Sequence, residues 1–424
     1  MKNALRPVLR FAGFTDDWVK KTFDTIYTFR STNSLSREKL NYADGRVRNL
    51  HYGDIHTKFQ ATFNIKKEIV PYVNLDVDLS KTPDDNFCKR GDLVIADASE
   101  DYSDIGKSIE LVEINNEKVV AGLHTFLARP DKAKIASGFG AFMMQSAYVR
   151  LQVKTIAQGT KVLGLSTTRL AKIILVTPSY EEQKQISNFL ISIDSKIHLL
   201  EKKLELLAQY KKIVMQRLFN QQIRFKDSHG KNYPNWSIKK LNELLSESKH
   251  RNYDMKYDKG NVLSVSGEYG IVNQIEHMGR SYAGVSVANY HVVEKGDIVY
   301  TKSPLKSNPF GIIKVNQGEP GIVSTLYAVY KCKTNVDGKY LDYYFQIDDN
   351  TNKYLRPLVH KGAKNDMKIN NEHVLTNTIS IPEKEEQVNI VTFLVSIDEK
   401  INHLKYQLEN ARMFKKGLLQ KMFV

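Results

Sequence analysis

The 424-residue chain has few cysteines, only Cys88 and Cys332, and no Cys-x-x-Cys pair. We therefore expect neither disulfide bonds nor a structural zinc site. The eleven histidines are scattered without metal-ligand spacing, so no metal or cofactor site is expected. No run of 18 apolar residues occurs, and residues 1–6 lack the apolar core of a signal peptide. These absences favour a cytoplasmic protein that does not span a membrane.

Acidic residues are in the minority: the chain has 47 Asp and Glu against 62 Lys and Arg, a formal net charge of +15. Such a balance indicates a polyanionic partner, most often nucleic acid. An apolar content of 42% with 10% aromatic residues is typical of a folded protein. A chain of this length has room for two or three domains with sizeable cores.

Three short motifs of catalytic appearance do not fit their chemistry. Gly106-Lys107-Ser108 ends like a phosphate-binding loop, but Asp101 stands where that loop begins with glycine. Gly138-Phe139-Gly140 lacks a strand–turn–helix context. Ser307-Asn308-Pro309-Phe310 is similar to the Asn-Pro-Pro-Phe loop of amino-methyltransferases but lacks its second proline. No acidic cluster offers a nuclease metal site, and we expect a protein that is not an enzyme.

A long internal repeat is present instead. Residues 178–219 align without a gap onto residues 382–423, and 19 of the 42 positions are identical. The offset of 204 residues is too long for a solenoid, whose units have roughly 20–50 residues. The pattern indicates a duplicated domain with its connector, and hence a function carried out at two places.

The repeated segment has the period of a coiled coil. Apolar residues step alternately by four and three from Ile186 to Leu218, and again from Ile390 to Met422. We predict helices over 180–219 and 383–423, with their relative direction left open. Lys211 and Lys415 interrupt the seam at the same place in both copies. Each lysine either fixes the register of the helices or extends its ammonium into solvent near a helix end.

The duplication extends beyond the helices, because matched residues, which we call anchors, occur at equivalent places in the two halves. Between these anchors the halves differ almost completely, which favours one scaffold with two different readers. Regions 22–177 and 237–381 have short β-rich runs separated by turn clusters, typical of mixed α/β structure. The anchors are Arg10-Phe11 with Trp18 against Arg224-Phe225 with Trp236, and Gly91-Asp92 against Gly296-Asp297.

This ordered set resembles the specificity subunit of type I restriction-modification enzymes along essentially the whole chain. The residues that carry the resemblance are Pro178, Glu182 and Gln183, their copies Pro382, Glu386 and Gln387, and the Gly-Asp turns. The second copy departs at Glu383, where the first has the helix-capping residue Ser179. The resemblance implies an α+β fold: two mixed α/β target-recognition domains in tandem repeat, separated by two long helices that form an antiparallel coiled coil.

The implied domains are a first target-recognition domain over 1–177, a central conserved helix over 178–222, a second target-recognition domain over 223–381 and a C-terminal conserved helix over 382–424. The family implies a non-catalytic DNA-binding subunit that reads a bipartite, non-palindromic site, one domain per half-site. It would direct two methyltransferase subunits and the restriction and translocase subunits in DNA methylation and phage defence. S-adenosylmethionine, ATP and Mg would be bound by those partners. Two alternatives are a coiled-coil DNA-binding scaffold without sequence readout and a methyltransferase fused to its own reader.

DNA contacts are expected from loops that carry Lys, Arg and small polar residues, although each such residue could equally be a solvated surface group. The candidates in the first domain are Arg46, Arg48, His56, Lys58, Ser99, Tyr102, Ser103, Lys107, Lys154, Gln158, Thr160 and Lys161. Those in the second are Ser266, Tyr269, Lys302, Ser303, Lys306, Asn308, Lys361, Lys364, Asn365 and Lys368.

Overall fold

The computed structural model describes residues 5–359, 367 and 369–424. The chain divides into two compact units: unit 1 comprises Met1–Lys202 with Lys405–Val424, and unit 2 comprises Lys203–Leu404. Both units combine helices with sheets, which confirms the mixed α/β character expected from the sequence. Among the described residues, no helix is both long enough and apolar enough to cross a bilayer. The four domains inferred from the sequence, with their boundaries, stay predictions.

Among its described residues, unit 1 contains thirteen short strands and the first six α-helices. The strands are β1 (Val19–Thr22), β2 (Tyr27–Arg30), β3 (Leu40–Asn41), β4 (Arg48–Leu50), β5 (Thr62–Asn64), β6 (Tyr72–Val73), β7 (Leu93–Ala96), β8 (Ala98–Ser99), β9 (Ser108–Glu113), β10 (Val119–Ala121), β11 (Thr125–Pro130), β12 (Leu163–Gly164) and β13 (Ile174–Thr177). The helices are α1 (Phe23–Ile26), α2 (Tyr52–Thr57), α3 (Phe139–Met143), α4 (Ala147–Ile156), α5 (Thr167–Leu170) and α6 (Tyr180–Phe219), whose residues after 202 belong to unit 2.

Unit 2 contains the remaining elements of the described chain. Its strands are β14 (Ser237–Lys240), β15 (Leu245–Glu247), β16 (Leu263–Ser266), β17 (Gly270–Asn273), β18 (His291–Val293), β19 (Ile298–Thr301), β20 (Ile313–Val315), β21 (Gly321–Val323), β22 (Tyr327–Cys332) and β23 (Thr378–Ile381). Its helices are α7 (Leu241–Leu244), α8 (Gln274–Met278), α9 (Gly338–Gln346), α10 (Asp348–Leu355), α11 (Asn371–Val374) and α12 (Lys384–Lys421), whose residues after 404 belong to unit 1.

The central sheets of the two units share a strand order. Unit 1 has the order β2-β11-β7-β9, extended at its edge by β5, which runs parallel to β9; unit 2 has β15-β22-β19-β20. Every neighbouring pair of the shared strands is antiparallel. A two-stranded antiparallel ribbon, β1-β13 or β14-β23, precedes each long helix. The duplication therefore continues through the regions whose sequences differ, because strand pairing uses backbone groups and tolerates many side chains.

The two Gly-Asp pairs are the turns that begin β7 and β19. Gly91 and Gly296 have φ angles of +94° and +90°, in the left-handed region that favours glycine. The Asp92 carboxylate accepts the backbone N–H of Lys89 at 2.8 Å. The Asp297 carboxylate accepts that of Glu294 at 2.9 Å. The matched spacing of these pairs in the sequence thus reflects the same turn, built twice.

The long helices begin and end within two residues of the predicted bounds. The Ser179 hydroxyl accepts the N–H of Glu182 at 3.4 Å and caps α6. The predicted apolar seam is buried or partly buried along both helices, and Leu200, Leu204 and Leu207 are among its partly buried members. Its most buried members are Ile186, Leu190, Leu418 and Met422 in unit 1, and Leu218, Ile390, Leu394 and Ile397 in unit 2.

The two seam lysines form matched ion pairs. Lys415 Nζ lies 2.6 Å from Asp194 Oδ1 in unit 1, and Lys211 Nζ lies 2.6 Å from Asp398 Oδ1 in unit 2. The lysine side chains are only 18% and 17% exposed, so the alternative in which they extend into solvent is wrong. Both aspartates belong to the repeated Ser-Ile-Asp sequence, and each is the counter-ion of a seam lysine.

In unit 1 a second ion pair, Arg412 with Glu201, lies on the same two helices. Residue numbers rise along α6 while they fall along α12, from the pair of Asp194 with Lys415 to the pair of Glu201 with Arg412. The segments of α6 and α12 inside unit 1 therefore run antiparallel. Such pairing leaves each ammonium within reach of only one repeated aspartate, which is how a seam ion pair can specify register.

Repeated arginine–glutamate pairs attach each long helix to the segment that precedes the first strand of its unit. Arg10 donates two hydrogen bonds of 2.7 Å to Glu182, whose side chain is fully buried. Arg224 contacts the fully buried Glu386 in the same way, at 3.0 and 2.7 Å. Bidentate geometry of this kind offsets the cost of burying a carboxylate. The glutamate of each repeated motif thus has an arginine as its structural partner.

The neighbouring glutamine of each motif joins the start of the long helix to the loop before α3 in unit 1 and to the loop before α9 in unit 2. The Gln183 amide donates to the carbonyls of Pro178 and Lys134 at 3.0 and 3.1 Å and accepts the N–H of Ala136 at 2.9 Å. Gln387 makes the equivalent three bonds, to Pro382, Asn335 and Asp337. Aromatic pairs add to this joint: Phe11 meets Phe189, and Phe225 meets Phe393, edge to face.

One position distinguishes the two joints chemically. The Tyr343 hydroxyl donates to Asp398 Oδ2 at 2.6 Å, and burial together with this carboxylate raises the pKa of Tyr343, so the hydroxyl keeps its proton. In unit 1 the corresponding ring is Phe142, which lies 5.5 Å from the Lys415 ammonium. Without a hydroxyl there, Asp194 Oδ2 has no hydrogen-bond partner among the described residues, and burial raises the pKa of Asp194.

We expect Tyr343→Phe to lower the free energy of unfolding of unit 2 by about 1.5–3 kcal/mol, the usual range for a hydrogen bond to a charged group. The reciprocal change Phe142→Tyr should raise that of unit 1 by about 1 kcal/mol, because it supplies the missing donor. Urea unfolding followed by tryptophan fluorescence measures both, since Trp18 lies in unit 1 and Trp236 in unit 2. If Tyr343→Phe were as stable as the parent chain, the hydrogen bond from Tyr343 to Asp398 would not stabilise unit 2.

Candidate nucleic-acid interface

Three of the predicted segments of unit 1 lie side by side. The pairing of β12 with β8 puts Leu163 beside Ser99. The Tyr102 hydroxyl donates to the carbonyl of Lys154 at 3.1 Å, and the Lys107 ammonium donates to the carbonyl of His56. We call this region the unit 1 polar surface; its predicted members are His56, Lys58, Ser99, Tyr102, Ser103, Lys107, Lys154, Gln158, Thr160 and Lys161.

Backbone pairing shapes the tip of this surface. Gln158 and Gly164 exchange backbone hydrogen bonds of 3.0 and 2.7 Å, which closes a tight turn between them. Thr160 and Lys161 are exposed on that turn. Ser99, by contrast, is buried, and its hydroxyl bonds to the backbone of Asp101. The turn therefore offers free polar groups, whereas Ser99 shapes the neighbouring loop.

Helix α2 brings a buried carboxylate to the same surface. The Asp54 side chain is 1% exposed and lies between the cations of Arg37, at 2.6 Å, and Lys58, at 2.9 Å. Burial alone would raise the pKa of Asp54, but the hydrogen bonds from these cations lower it below its ordinary value. Burial, with the charge of Arg37, lowers the pKa of the neighbouring His51 to about 4. His51 is therefore neutral at physiological pH, and its ring accepts the N–H of Gly53 at 3.1 Å.

Arg46 and Arg48 lie apart from the unit 1 polar surface. The Arg48 guanidinium donates to Glu117 at 2.9 Å and to the carbonyl of Val70 at 2.7 Å, and it covers the Tyr72 ring at 3.7 Å. Two of its N–H donors and one face of the guanidinium are thus engaged within the protein. Arg46 is exposed at the rim of a cavity of about 610 Å³ formed with residues 73–80.

The charge of the loop after β7 differs from that of its counterpart after β19. Residues 97–104 include Asp97, Glu100, Asp101 and Asp104, whereas residues 302–308 include Lys302 and Lys306 and no carboxylate. A carboxylate repels phosphate but can accept from the exocyclic amine of cytosine. The two loops hold equivalent places in the fold, yet only the loop of unit 2 has the charge that favours phosphate contact.

The 302–308 loop is ordered by its asparagine. Asn308 is 4% exposed; its carbonyl accepts the N–H groups of Leu305 and Gly311 at 3.0 and 3.1 Å, and its Oδ1 accepts from the Ser307 hydroxyl at 3.1 Å. Ser303 and Lys306 are exposed, and burial lowers the pKa of the half-buried Lys302. Of these four candidates, Lys306 and Ser303 are the ones that present free groups to a ligand.

The turn between β16 and β17 lies beside this loop. The Ser266 hydroxyl accepts the N–H groups of Glu268 and Tyr269 at 3.3 and 3.2 Å, and the Tyr269 ring is 60% exposed. A Cβ on Gly267 would lie 3.8 Å from Leu305, so the turn and the loop are neighbours. The remaining candidates, Lys361, Lys364, Asn365 and Lys368, lie outside the described residues. Every candidate of both units stays a prediction.

Sequence reasoning did not single out three polar residues that the fold adds to the unit 1 polar surface. Arg37 reaches it by pairing with Asp54, His124 by a 3.2 Å contact with Asp97, and Arg150 by hydrogen bonds to the carbonyls of Ser103 and Ile105. Each partner is 17 to 47 residues distant in the chain. No local pattern marks such contacts, so only the folded chain reveals them.

No group of three or more His, Cys, Asp or Glu suited to a metal ion occurs among residues 5–359, 367 and 369–424. Of the two thiols, burial raises the pKa of Cys332 to about 11 and raises that of Cys88 even further, so neither forms a nucleophilic thiolate readily. The 302–308 loop of unit 2 can donate hydrogen bonds and attract phosphate.

Comparison with known proteins identifies a related domain. Residues 53–209 match the family model of the type I restriction modification DNA specificity domain. A protein of Methanocaldococcus jannaschii, provisionally assigned as the specificity subunit of the type I restriction enzyme MjaX, is 23% identical over 433 residues. The alignment covers 95% of this chain and 92% of that protein. The resemblance inferred from the repeat is confirmed.

Two solved structures have a similar fold. The crystal structure of the S subunit of a type I restriction-modification system from M. genitalium gives a TM-score of 0.58 at 12% identity, over 99% of each chain. A chain from a structure concerned with complex assembly and conformational transition of the type I system gives 0.53 at 13% identity, over 97% of this chain and 98% of that one.

Proposed function

Because this chain resembles the specificity subunits of type I restriction-modification systems along nearly its whole length, we propose that it is the DNA-reading subunit of such a complex. One observation carries the proposal furthest. Each unit builds the same joint, with Arg–Glu, Gln–backbone and Phe–Phe contacts, and then carries a different set of loops. A shared frame with unlike loops suits two readers of unlike sequences.

In this proposal the two target-recognition domains each read one half of a bipartite site. Since the symmetry of a DNA site mirrors that of the protein that binds it, unlike readers imply a non-palindromic site. The long helices form an antiparallel coiled coil that separates the domains. The heptad pattern and the ion pairs of Lys415 and Lys211 support this element.

The chain itself is non-catalytic in this proposal and acts in the cytoplasm. Two methyltransferase subunits and the restriction and translocase subunits supply the chemistry and bind S-adenosylmethionine, ATP and Mg. The long helices expose several large apolar side chains, and we place the docking of partner subunits on these helices. In unit 1 these side chains are Leu199, Tyr406, Met413 and Phe414, each more than half exposed.

An exchange of residues 22–177 for the matching region of a relative tests the proposal. We expect methylome sequencing of cells that express the hybrid with its methyltransferase to show one half-site changed and the other retained. The joint residues Arg10, Glu182 and Gln183 stay outside the exchanged region, so the frame is preserved. Loss of both half-sites in a folded hybrid, or retention of both, would reject the one-domain-per-half-site arrangement.

The cationic loop of unit 2 should contribute sequence-independent affinity. We expect Lys306→Ala, and to a smaller extent Lys302→Ala, to weaken binding to every duplex and to flatten the log–log salt dependence by about one unit per lost phosphate contact. Lys339→Ala is the matched control. Lys339 follows Gly338, which adjoins the Gly296 turn at the start of β19, whereas the cationic loop follows the end of that strand. An unchanged salt slope for Lys306→Ala would show that Lys306 does not contact a DNA phosphate.

Asn308→Ala distinguishes base reading from loop shaping. If the side chain reads a base, discrimination at one position of one half-site should fall by about 1–3 kcal/mol. Its burial and its bond to Ser307 favour the second role, in which the variant binds all duplexes more weakly and is less stable. Affinities for the cognate duplex and for single-mismatch duplexes, together with the melting temperature, separate the two roles.

A further inference from the structure

A cavity of about 470 Å³ in unit 1 has an excess of cationic groups on its wall. Lys107, Arg150 and Lys415 line it, and Asp104 is the one acidic side chain among the lining residues. Ser108 and Gln145 add neutral hydrogen-bonding groups. The volume falls within the range of small-molecule sites, about 300–1,000 Å³. The cavity is therefore large enough for a phosphate-bearing group, and its charge favours one.

Arg150 is the most informative of these cations. One terminal nitrogen of its guanidinium donates to the carbonyls of Ser103 and Ile105 at 2.8 and 2.7 Å. No carboxylate among the described residues forms a salt bridge with it, and burial lowers its pKa. Arg150 is partly buried, and a cation that is partly withdrawn from water is normally paired with an anion. A guanidinium presents five N–H donors in a planar fork that matches phosphate, and these two carbonyls use one end of it.

The loop that faces Arg150 is Gly106-Lys107-Ser108, the sequence that ends like a phosphate-binding loop. Gly106 has a φ of +68°, and a Cβ there would lie 2.5 Å from Val153 on helix α4. Only glycine permits this approach, which brings Lys107 and Ser108 to the same wall as Arg150. The missing first glycine excludes a nucleotide-binding P-loop but leaves the local arrangement of lysine, serine and backbone.

The other two cations keep donors for a ligand. The Lys107 ammonium uses one N–H on the carbonyl of His56, and that of Lys415 uses one on Asp194. An ammonium group has three donors, so each contact leaves others. The Asp104 charge acts against an anion, and it raises the pKa of Arg150 in opposition to burial. Asp194 neutralises Lys415 from outside the wall, so three cations stand against two carboxylates and one positive charge remains in excess.

We propose that this cavity binds a phosphate group, held by Arg150 with Lys107, Lys415 and Ser108. The group could come from the backbone of bound DNA or from a free phosphate or phosphate-bearing solute. The shared chemistry is a tetrahedral dianion or monoanion that accepts charge-assisted hydrogen bonds. Binding would join the Gly106 loop, helix α4 and the C-terminal part of α12, all within unit 1.

Inorganic phosphate is the probe for the first test. Thermal unfolding of the full chain is followed in sodium phosphate and in sodium chloride of equal ionic strength, and calorimetry measures phosphate binding directly. We expect phosphate, at a concentration well above its Kd, to raise the melting temperature of unit 1 by at least about 2 °C relative to chloride. Equal melting temperatures, with no heat of binding, would overturn the proposal.

Gln145→Glu is the decisive variant, because it places a carboxylate on the cavity wall and changes no cation. We expect it to abolish the response to phosphate, weakening phosphate binding by about tenfold or more, which is about 1.4 kcal/mol. Gln222→Glu, at an exposed position of unit 2, is the matched control and should respond as the parent does. Phosphate also stabilises proteins non-specifically, and an undiminished response in Gln145→Glu would show only that effect and reject the site.

Arg150→Gln provides a second variant, with an expected loss of phosphate binding of tenfold or more, about 1.4 kcal/mol. The change removes the hydrogen bonds of Arg150 to Ser103 and Ile105, so the folding of Arg150→Gln is checked by circular dichroism. If Arg150→Gln does not fold, the phosphate site is tested by Gln145→Glu alone. DNA affinity then identifies the source of the phosphate. If the DNA backbone occupies the cavity, Gln145→Glu weakens binding to cognate and unrelated duplexes alike. If a free solute occupies it, DNA affinity is unchanged while phosphate binding is lost.

Discussion

Arg10→Ala is expected to lower the free energy of unfolding of unit 1 by about 3–5 kcal/mol, because it leaves the Glu182 carboxylate buried without its counter-ion. The Glu182 side chain is fully buried, and Arg10 supplies it with two hydrogen bonds of 2.7 Å. Arg224→Ala should have a smaller effect in unit 2, since the Trp236 indole continues to donate to Glu386 at 3.1 Å. The Trp18 indole nitrogen makes no hydrogen bond to the described residues.

Each unit has one tryptophan, so fluorescence can report the units separately. Urea unfolding of Arg10→Ala in a Trp236→Phe background follows unit 1, and that of Arg224→Ala in a Trp18→Phe background follows unit 2. Arg6→Ala is the control, because its ion pair with Asp17 is more than half exposed on both sides and should contribute at most about 1 kcal/mol. A cost for Arg10→Ala no larger than that for Arg6→Ala would refute the role of this pair.

Leu190→Ala and Leu394→Ala are expected to cost about 2–5 kcal/mol each, the range for removing a buried leucine side chain. These residues occupy the same position in the two copies of the repeat, and both are 0% exposed. Leu204, another seam position, is only partly buried, so Leu204→Ala should cost less. A truncation in either unit should also weaken DNA binding, because the long helix supports the sheet that carries the loops.

Leu199→Ala is the matched control on the same helix. Leu199 is 66% exposed, and its truncation should change the free energy of unfolding by no more than about 0.5 kcal/mol. Unfolding in urea, with the m-value compared between variants, separates a loss of stability from a change in the denatured state. If Leu190→Ala and Leu199→Ala were equally stable, the seam would not be the buried face of α6.

The elements with a long, regular period were predicted well. The bounds of α6 and α12 and the burial of their seam followed from the alternate spacing of four and three, which depends only on helix geometry. The repeat also indicated that both halves share a frame, and the common strand order of their sheets agrees. Individual strands were less accessible, because runs of two to six residues carry little periodic signal.

The roles of particular polar residues required the fold. Glu182 and Gln183 stood out in the repeat, but their partners Arg10 and Lys134 could not be inferred, since each lies about 50 or more residues away. Arg48 is of a residue type that commonly contacts DNA, yet its guanidinium is engaged by Glu117 and Tyr72. The loops at Ser99 and Lys302 follow equivalent strands, yet the acidic charge of the first makes the two chemically unlike.

By itself, the sequence determined the duplication, the two long helices, the apolar seam with its two lysines and the resemblance to a family of DNA-reading subunits. These properties depend on residue order and on helix period, which are local. Only the tertiary structure decided that Asp194 and Asp398 neutralise the seam lysines, that Arg10 and Arg224 neutralise buried glutamates, and that Arg150 faces the Gly106 loop. Such contacts join residues far apart in the chain, and their energies depend on burial, which a linear pattern does not contain.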